Sequence, residues 1–313
     1  MRLLDAAAVR RGLPFDLLVP ALREMFAGGC TVPPRQVLTV GGGTVLVMPA
    51  WQEGRHFGVK TVTIYPGNGA LGLPGVHAVY TLFDARTGVP LAVLDGSELT
   101  ARRTAAASAL AADYLARRDA TRLLLVGAGR VAALLPAALR SVRPGLREVT
   151  VWNRSPAGAH ALAAQLAAAG WTARATADLP AATGRADIVS CATLSTAALV
   201  QGSRLLPGTH VDLIGSFTPV MREADGLTFA RGRVFIDTEE ALAKSGDLLL
   251  AQAEGDFDPE RLQGTLAGLC RGKHAGRGSE TEITVFKSVG TALEDLAAAE
   301  LALAAADNPP PST

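Results

Sequence analysis

Four apolar residues running straight into a glycine pair constrain this chain more than anything else in it. Leu123-Leu124-Leu125-Val126 reads as a buried strand, and Gly127-x-Gly129-x-x-Ala132 follows without a gap. Ala133, Leu134, Leu135, Ala138 and Leu139 then continue at helical spacing. Strand, glycine turn and helix in that order turn a weak glycine pattern into a dinucleotide-binding fingerprint. Gly127 is expected to make the tight turn, Gly129 to let the backbone approach a pyrophosphate, and Ala132 to allow close helix–strand packing. Arg130 and Val131 open the helix, whose unpaired N–H groups and positive dipole end face the phosphates.

A second strand, Glu148–Trp152, ends in Asn153-Arg154-Ser155. An acid at this point would grip the ribose 2′-hydroxyl of NADH; an arginine and a serine suit a 2′-phosphate instead. The expected cofactor is therefore NADPH, with NADH left open. Thr193 and Ser288, each following a strand-like run, are further candidates to line the cofactor, and each is equally readable as a helix cap.

From Thr121 the pattern alternates. Strands are expected at 122–126, 148–152, 172–175, 187–191, 209–214 and 233–237, with helices at 130–141, 156–169 and 239–252 and a further one over Pro259–Cys270. That is an α/β, Rossmann-type doubly wound sheet. The first hundred residues read differently: a helix over about 17–26, then short strands joined by glycine turns, as in a β-meander. A helix over Glu98–Arg118, capped by Thr100, places Arg102 and Arg103 in its first turn, where positive charge opposes the dipole and an anion opposite would make sense. The first sheet lacks an apolar cover, and the Ala/Leu helix over 290–305 is the obvious donor. The expected plan is a dinucleotide-binding domain at 119–276 inserted into a smaller α+β domain, 1–118 plus 277–313, that binds substrate and dimerises. The Pro-rich stretch Asp307–Thr313 is expected to fray.

Composition narrows the function. A length of 313 residues suits two domains, and a formal net charge of +1 suggests neither nucleic acid nor a membrane surface as partner. Three cysteines without ligand spacing fit a reducing cytoplasm and no metal site. No apolar run is long enough for a signal peptide or a membrane span. Basic residues are nearly all arginine, so Lys60, within the strand-like Gly58–Tyr65, stands out.

Several motifs together resemble the ornithine cyclodeaminase/mu-crystallin family. They are Lys60-x-Val62-Thr63 with Pro66 and Asn68; Gly72-Leu73-Pro74; Asp84-x-x-Thr87-Gly88-x-Pro90-Leu91-Ala92; Leu99-Thr100-x-x-Arg103-Thr104-Ala105-Ala106; Gly127-x-Gly129; Arg222-Glu223; and Glu282–Ser288 with Gly290. The resemblance covers nearly the whole chain. It implies a nucleotide domain inserted into a dimerising one, and an amino or imino acid bound beside the nicotinamide. By that resemblance Arg35, Lys60 and Arg103 hold the substrate carboxylate, which arginine forks and a lysine point charge are suited to do.

The resemblance also implies a departure. Lyases of the family carry an acid after the strand near Gly215, and Phe217 stands there in Gly215-Ser216-Phe217-Thr218-Pro219. A phenyl ring transfers no proton, so the run resembles the ketimine reductase branch, which reduces Δ1-pyrroline-2-carboxylate to L-proline and Δ1-piperideine-2-carboxylate to L-pipecolate. Phe217 would wall the substrate, and His77 is a candidate proton donor because imidazole titrates near neutrality. The alternatives are an ornithine cyclodeaminase or alanine dehydrogenase of the same family, and a non-catalytic, crystallin-like NADPH-binding protein.

Overall fold

The structure, a computed structural model, describes residues 1–307; the expectation for the tail beyond Asp307 lies outside them. The chain falls into two compact units, 1–104 with 291–313 and 105–290.

Unit 1 is built on a six-stranded sheet. The chain opens with β1 (Arg2–Leu4), α1 (Ala6–Gly12) and α2 (Phe15–Gly28), and continues through β2 (Gln36–Val40), β3 (Gly43–Trp51), β4 (His56–Ile64), β5 (Val76–Asp84) and β6 (Pro90–Asp95). The strand order is β1-β6-β5-β4-β3-β2, antiparallel except for the parallel β1–β6 pair. Alternation along each strand separates two faces. The inner face carries Met48, Ala50, Lys60, Tyr80 and Leu82, all buried. Lys60 sits opposite Met48 on one side and Tyr80 on the other.

Next comes α3 (Gly96–Leu115), within which the unit boundary falls. It starts two residues before the expected Glu98. Asp95, not Thr100, caps it: the Asp95 carboxylate accepts from the Glu98 N–H at 2.7 Å. Arg102 and Arg103 therefore lie in its second turn. The last helix, α11 (Ala292–Asp307), returns to unit 1 and packs on α1, α2, β3, β4 and β5. It supplies the apolar cover the sheet requires.

Unit 2 holds an eight-stranded parallel sheet. Its elements are β7 (Arg122–Val126), α4 (Arg130–Val142), β8 (Glu148–Trp152), α5 (Pro156–Ala168), β9 (Thr172–Ala175), α6 (Leu179–Thr183), β10 (Ile188–Cys191), β11 (His210–Leu213), α7 (Gly226–Arg231), β12 (Gly232–Ile236), α8 (Glu240–Lys244), α9 (Gly246–Glu254), β13 (Gly264–Thr265), α10 (Leu266–Cys270) and β14 (Ile283–Lys287). The order is β13-β12-β14-β11-β10-β7-β8-β9. Strands buried on both faces read as continuous apolar runs, and Val126, Val189, Val211, Leu213, Val234 and Val285 form one core among others.

Three expectations need correction. The helix over 239–252 is two helices, because Ser245 is extended. The N–H groups that follow it turn to a neighbouring loop: Gly246 donates to the Thr218 carbonyl (3.1 Å) and Asp247 to Ser216 Oγ (3.0 Å). Pro259–Cys270 is not one helix. Phe235 and Ile236 of β12 pair with Gly264 and Thr265, pulling the middle of the segment into the sheet edge. Lastly, the compact units break at 104/105 and 290/291 rather than 118/119 and 276/277. β14 carries the second break past 276/277, because it lies between β11 and β12 and cannot be separated from the parallel sheet; the first break falls inside α3.

Candidate active site

In unit 2 the chain leaves β7 towards β8 and β9 on one side and later fills β10 and β11 on the other. Such a switch point opens a crevice at the carboxyl ends of the strands, where ligands bind. Gly127 has φ +112°, and a Cβ there would lie 2.5 Å from the Ala192 carbonyl oxygen, so only glycine fits the turn. Beside Gly129 a Cβ would meet nothing within 4 Å, which leaves room for a phosphate against the backbone. Gly129 is the N-cap of α4 and has no side chain to satisfy the free N–H groups. Arg130 is exposed and Val131 half-buried at this helix start. At the end of β8, Asn153 Nδ2 donates to the Ser155 carbonyl (3.0 Å), while Arg154 and Ser155 are exposed. Ser155 does not cap α5 with its side chain. These features fit a dinucleotide: a pyrophosphate cradle at Gly127–Arg130 and a cationic end at Arg154.

Two further loops flank the crevice. Thr193, after β10, gives both its N–H (2.7 Å) and its hydroxyl (2.8 Å) to the Glu223 carboxylate. Thr193 is therefore not a helix cap. Gly215, after β11, donates its N–H to the other Glu223 oxygen at 2.7 Å. Phe217, on the same loop, is 45% exposed. Ser288 is buried where β14 ends, its N–H bonded to the Leu213 carbonyl (3.0 Å).

In unit 1 the structure brings Lys60 and Arg103 together, in company the sequence reading did not foresee. Lys60 Nζ lies 2.9 and 2.7 Å from the two carboxylate oxygens of Asp295. Arg103 Nε donates to Asp295 at 3.0 Å, and its Nη1 to Glu294. All four side chains are buried, Asp295 completely. Burial lowers the Lys60 ammonium to about 8, with Asp295 pulling it back up and Arg103 pushing it further down. For Asp295 burial works against ionisation, yet Lys60 and Arg103 outweigh it and hold the carboxyl below its usual range. The anion expected opposite the α3 arginines is thus the protein's own. Arg102 points elsewhere, donating to the Leu13 carbonyl (2.8 Å) and lying over the Phe15 ring.

Within this cluster Asp295 and Glu294 balance the charges of Lys60 and Arg103. His77 does not join it: it pairs with Thr63, out of phase with the Lys60–Tyr80 pair, and is exposed on the opposite face of the sheet. Arg35 stands half-buried just before β2, with β3 between that strand and β4. The signal missed was in α11, where Glu294 and Asp295 stand side by side in the first turn of a helix made mostly of alanine and leucine; acids buried there must meet buried cations. Among the described residues no group of three or more acids, histidines or cysteines is placed to hold a metal, and no helix is long and apolar enough to cross a membrane.

The fold and these two sites define a dinucleotide-binding protein whose smaller unit carries a buried lysine–arginine cluster. The chain belongs to the ornithine cyclodeaminase/mu-crystallin family, whose model matches residues 12–307. It is 44% identical over 283 residues to a Δ1-pyrroline-2-carboxylate reductase from Paracoccus denitrificans, covering 89% of this chain and 88% of that one. Among solved structures it is similar to the Δ1-pyrroline-2-carboxylate reductase of Thermococcus litoralis in complex with NADH and L-proline, at 32% identity and a TM-score of 0.92 over 98% of each chain. An archaeal alanine dehydrogenase dimer with bound NAD matches at 30% identity and a TM-score of 0.91, over 100% of this chain and 98% of that one.

Proposed function

We propose that the protein is a nicotinamide-dependent oxidoreductase acting on carbon–nitrogen double bonds, and that it reduces cyclic imino acids such as Δ1-pyrroline-2-carboxylate. The observation that carries this reading is the meeting of Lys60 and Arg103 in one buried cluster, in a chain this similar to pyrroline-2-carboxylate reductases. Lys60 and Arg103 hold the substrate carboxylate. Asp295 and Glu294 keep both cations in place and share their charge, so the pair does not repel itself apart. In so dry a setting each charge-assisted bond to the carboxylate contributes about 1.5–3 kcal/mol. When bound, the reduced nicotinamide supplies the hydride. A protonated imine accepts hydride far more readily than a neutral one. Lys60 Nζ, lowered to about 8, is the group of this cluster whose proton is most readily given near neutrality. We assign Arg154 and Ser155 to a 2′-phosphate, making NADPH the preferred cofactor. Phe217 leaves no base where the family's lyases keep one.

The test is cofactor oxidation followed spectrophotometrically with five- and six-membered cyclic imine carboxylates, beside pyruvate with ammonia and ammonia release from ornithine. Imine reduction should dominate, and Arg103→Ala should lower kcat/KM about 10- to 100-fold through a raised KM. Turnover of pyruvate or ornithine alone, or an Arg103→Ala enzyme with unchanged kinetics, would overturn the assignment.

We further propose that the protein is a cytoplasmic homodimer joined through unit 1. The outer face of its sheet exposes Leu38, Val40 and Val79, large apolar side chains on β2 and β5 that share one face, of the kind that marks an interface. Its three cysteines are free, as a reducing compartment keeps them.

A further inference from the structure

We propose that Glu223 is a positioning residue for the nicotinamide half of the cofactor, fastening the loop after β10 to the loop after β11. The proposal rests on the reading of unit 2 as the dinucleotide site. In that site the pyrophosphate lies at Gly127–Arg130 and the adenosine half runs towards the end of β8. The other half must then extend the opposite way, over the ends of β10 and β11. The ends of β10 and β11 are joined there through one carboxylate, that of Glu223, on a segment whose backbone also ties down the rest of the loop after β10: Arg222 N–H donates to the Ser195 carbonyl, and the Glu223 carbonyl accepts from Leu199 and Val200. Glu223 is fully buried and accepts three bonds, from Thr193 N–H, Thr193 Oγ1 and Gly215 N–H. The approach is so close that a Cβ on Gly215 would lie 2.0 Å from the Thr193 carbonyl oxygen and 2.3 Å from Glu223 Oε1.

Glu223 is itself held from behind. Its own N–H and that of Ala224 donate to Asp247 Oδ1 at 2.7 and 3.0 Å. Lys287, at the end of β14, lies 3.6 Å from Asp247 Oδ2 and donates to the Leu213 carbonyl at 3.0 Å. The charged and titratable groups facing the Glu223 carboxylate are thus Lys287, Asp247 and the buried Cys191 thiol. Burial raises the carboxyl to about 7 against the pull of Lys287, while Asp247 adds to the rise. Taking up a proton turns one acceptor oxygen into a donor, and one of the three bonds is lost. Lowering the pH through about 7 should therefore loosen the two loops.

Glu223→Gln replaces an acceptor by an amide that meets either Thr193 or Gly215 donor to donor. Binding is measured directly, by calorimetry, with the whole dinucleotide and with 2′-phospho-ADP-ribose, which lacks the nicotinamide. The variant should bind the dinucleotide about tenfold more weakly, bind the fragment as the wild type does, and exchange the Thr193 and Gly215 amide protons faster. Its dinucleotide affinity should no longer weaken between pH 8 and 6, as that of the wild type should. Thr193→Val, which removes one bond and keeps the carboxylate, should show a smaller loss in the same direction. Equal losses for dinucleotide and fragment, or no loss for either variant, would overturn the positioning role. A wild-type protein that binds neither would instead overturn the dinucleotide reading on which it rests.

Discussion

Each unit buries a cluster of charges, and the two are built in opposite ways. In unit 1 side chain meets side chain: two cations, Lys60 and Arg103, against two anions, Asp295 and Glu294. In unit 2 the carboxylates face the backbone: Glu223 and Asp247 accept from the N–H groups of Thr193, Gly215, Glu223 and Ala224, and Lys287 donates to a carbonyl. A carboxylate bonded to backbone N–H groups fixes the path of a loop. One bonded to a guanidinium and an ammonium fixes the position of charge. The first arrangement suits a site that must hold a shape, the second a site that must receive a charged ligand.

The sharpest way to break this contrast is to remove an anion from each cluster. Asp295→Asn leaves two buried cations sharing one remaining acid, and breaking a buried pair in this way costs about 3–5 kcal/mol. Denaturant unfolding should show that loss, and adding Lys60→Met should restore part of it by removing the orphaned charge. Glu223→Gln leaves one backbone donor unmatched, worth about 1–3 kcal/mol. Equal losses of stability from the two substitutions would erase the distinction between charge-holding and shape-holding clusters.

A second difference is in pH response. Lys60 lies below its ordinary value, at about 8, so the cluster loses a positive charge as the pH rises through that point. The carboxylate anchor then weakens, and kcat/KM for the imino acid should fall about tenfold per pH unit above it. Glu223 predicts the reverse, weaker cofactor binding as the pH falls through about 7. Lys60→Arg keeps its charge at any accessible pH and gives up no proton, so kcat should fall while the alkaline limb of the remaining activity moves upward. The same limb in both enzymes would show that another group titrates. A smaller effect is expected at the rim of unit 2, where Arg154→Asp should shift the NADPH-to-NADH ratio of kcat/KM about tenfold towards NADH, the loss of one charge-assisted contact. An unmoved ratio would take the 2′-phosphate away from Arg154.

The same contrast explains what could be read in advance. The parallel sheet was legible because its signals are local: Leu123–Val126, Gly127-x-Gly129 and the helical spacing after Ala132 lie within one short stretch. Lys60 and Arg103 were legible as unusual charges, a lysine inside a strand and an arginine early in a helix. Their partners were not, because Asp295 and Glu294 lie nearly two hundred residues beyond Arg103 and only the return of α11 brings them back. Helix boundaries failed where a tertiary contact beat local preference. Ser245 breaks a helical pattern because the 216–218 loop takes the N–H groups that follow it, and Asp95 starts α3 early because its carboxylate is already at the strand end. His77 failed for a simpler reason: register. One residue of phase on β5 puts a side chain on the other side of the sheet.

That register makes the smallest expected effect the cleanest test of how the two faces divide the work. On the inner face, Lys60 and Tyr80 are paired and buried; on the outer, Thr63 and His77 are paired, with Val79 one step along. If the chemistry belongs to the inner face alone, His77→Gln should leave kcat, KM and the pH profile of imine reduction as they are, and change stability by no more than about 0.5 kcal/mol, as a substitution at an exposed site does. Val79→Glu on that outer face should instead change the molar mass in light scattering from dimer to monomer, without touching Lys60 or Arg103. A His77→Gln enzyme with a lost acid limb would mean that the outer face supplies the proton. The substrate would then have to be reached from the side of the sheet where Lys60 is absent.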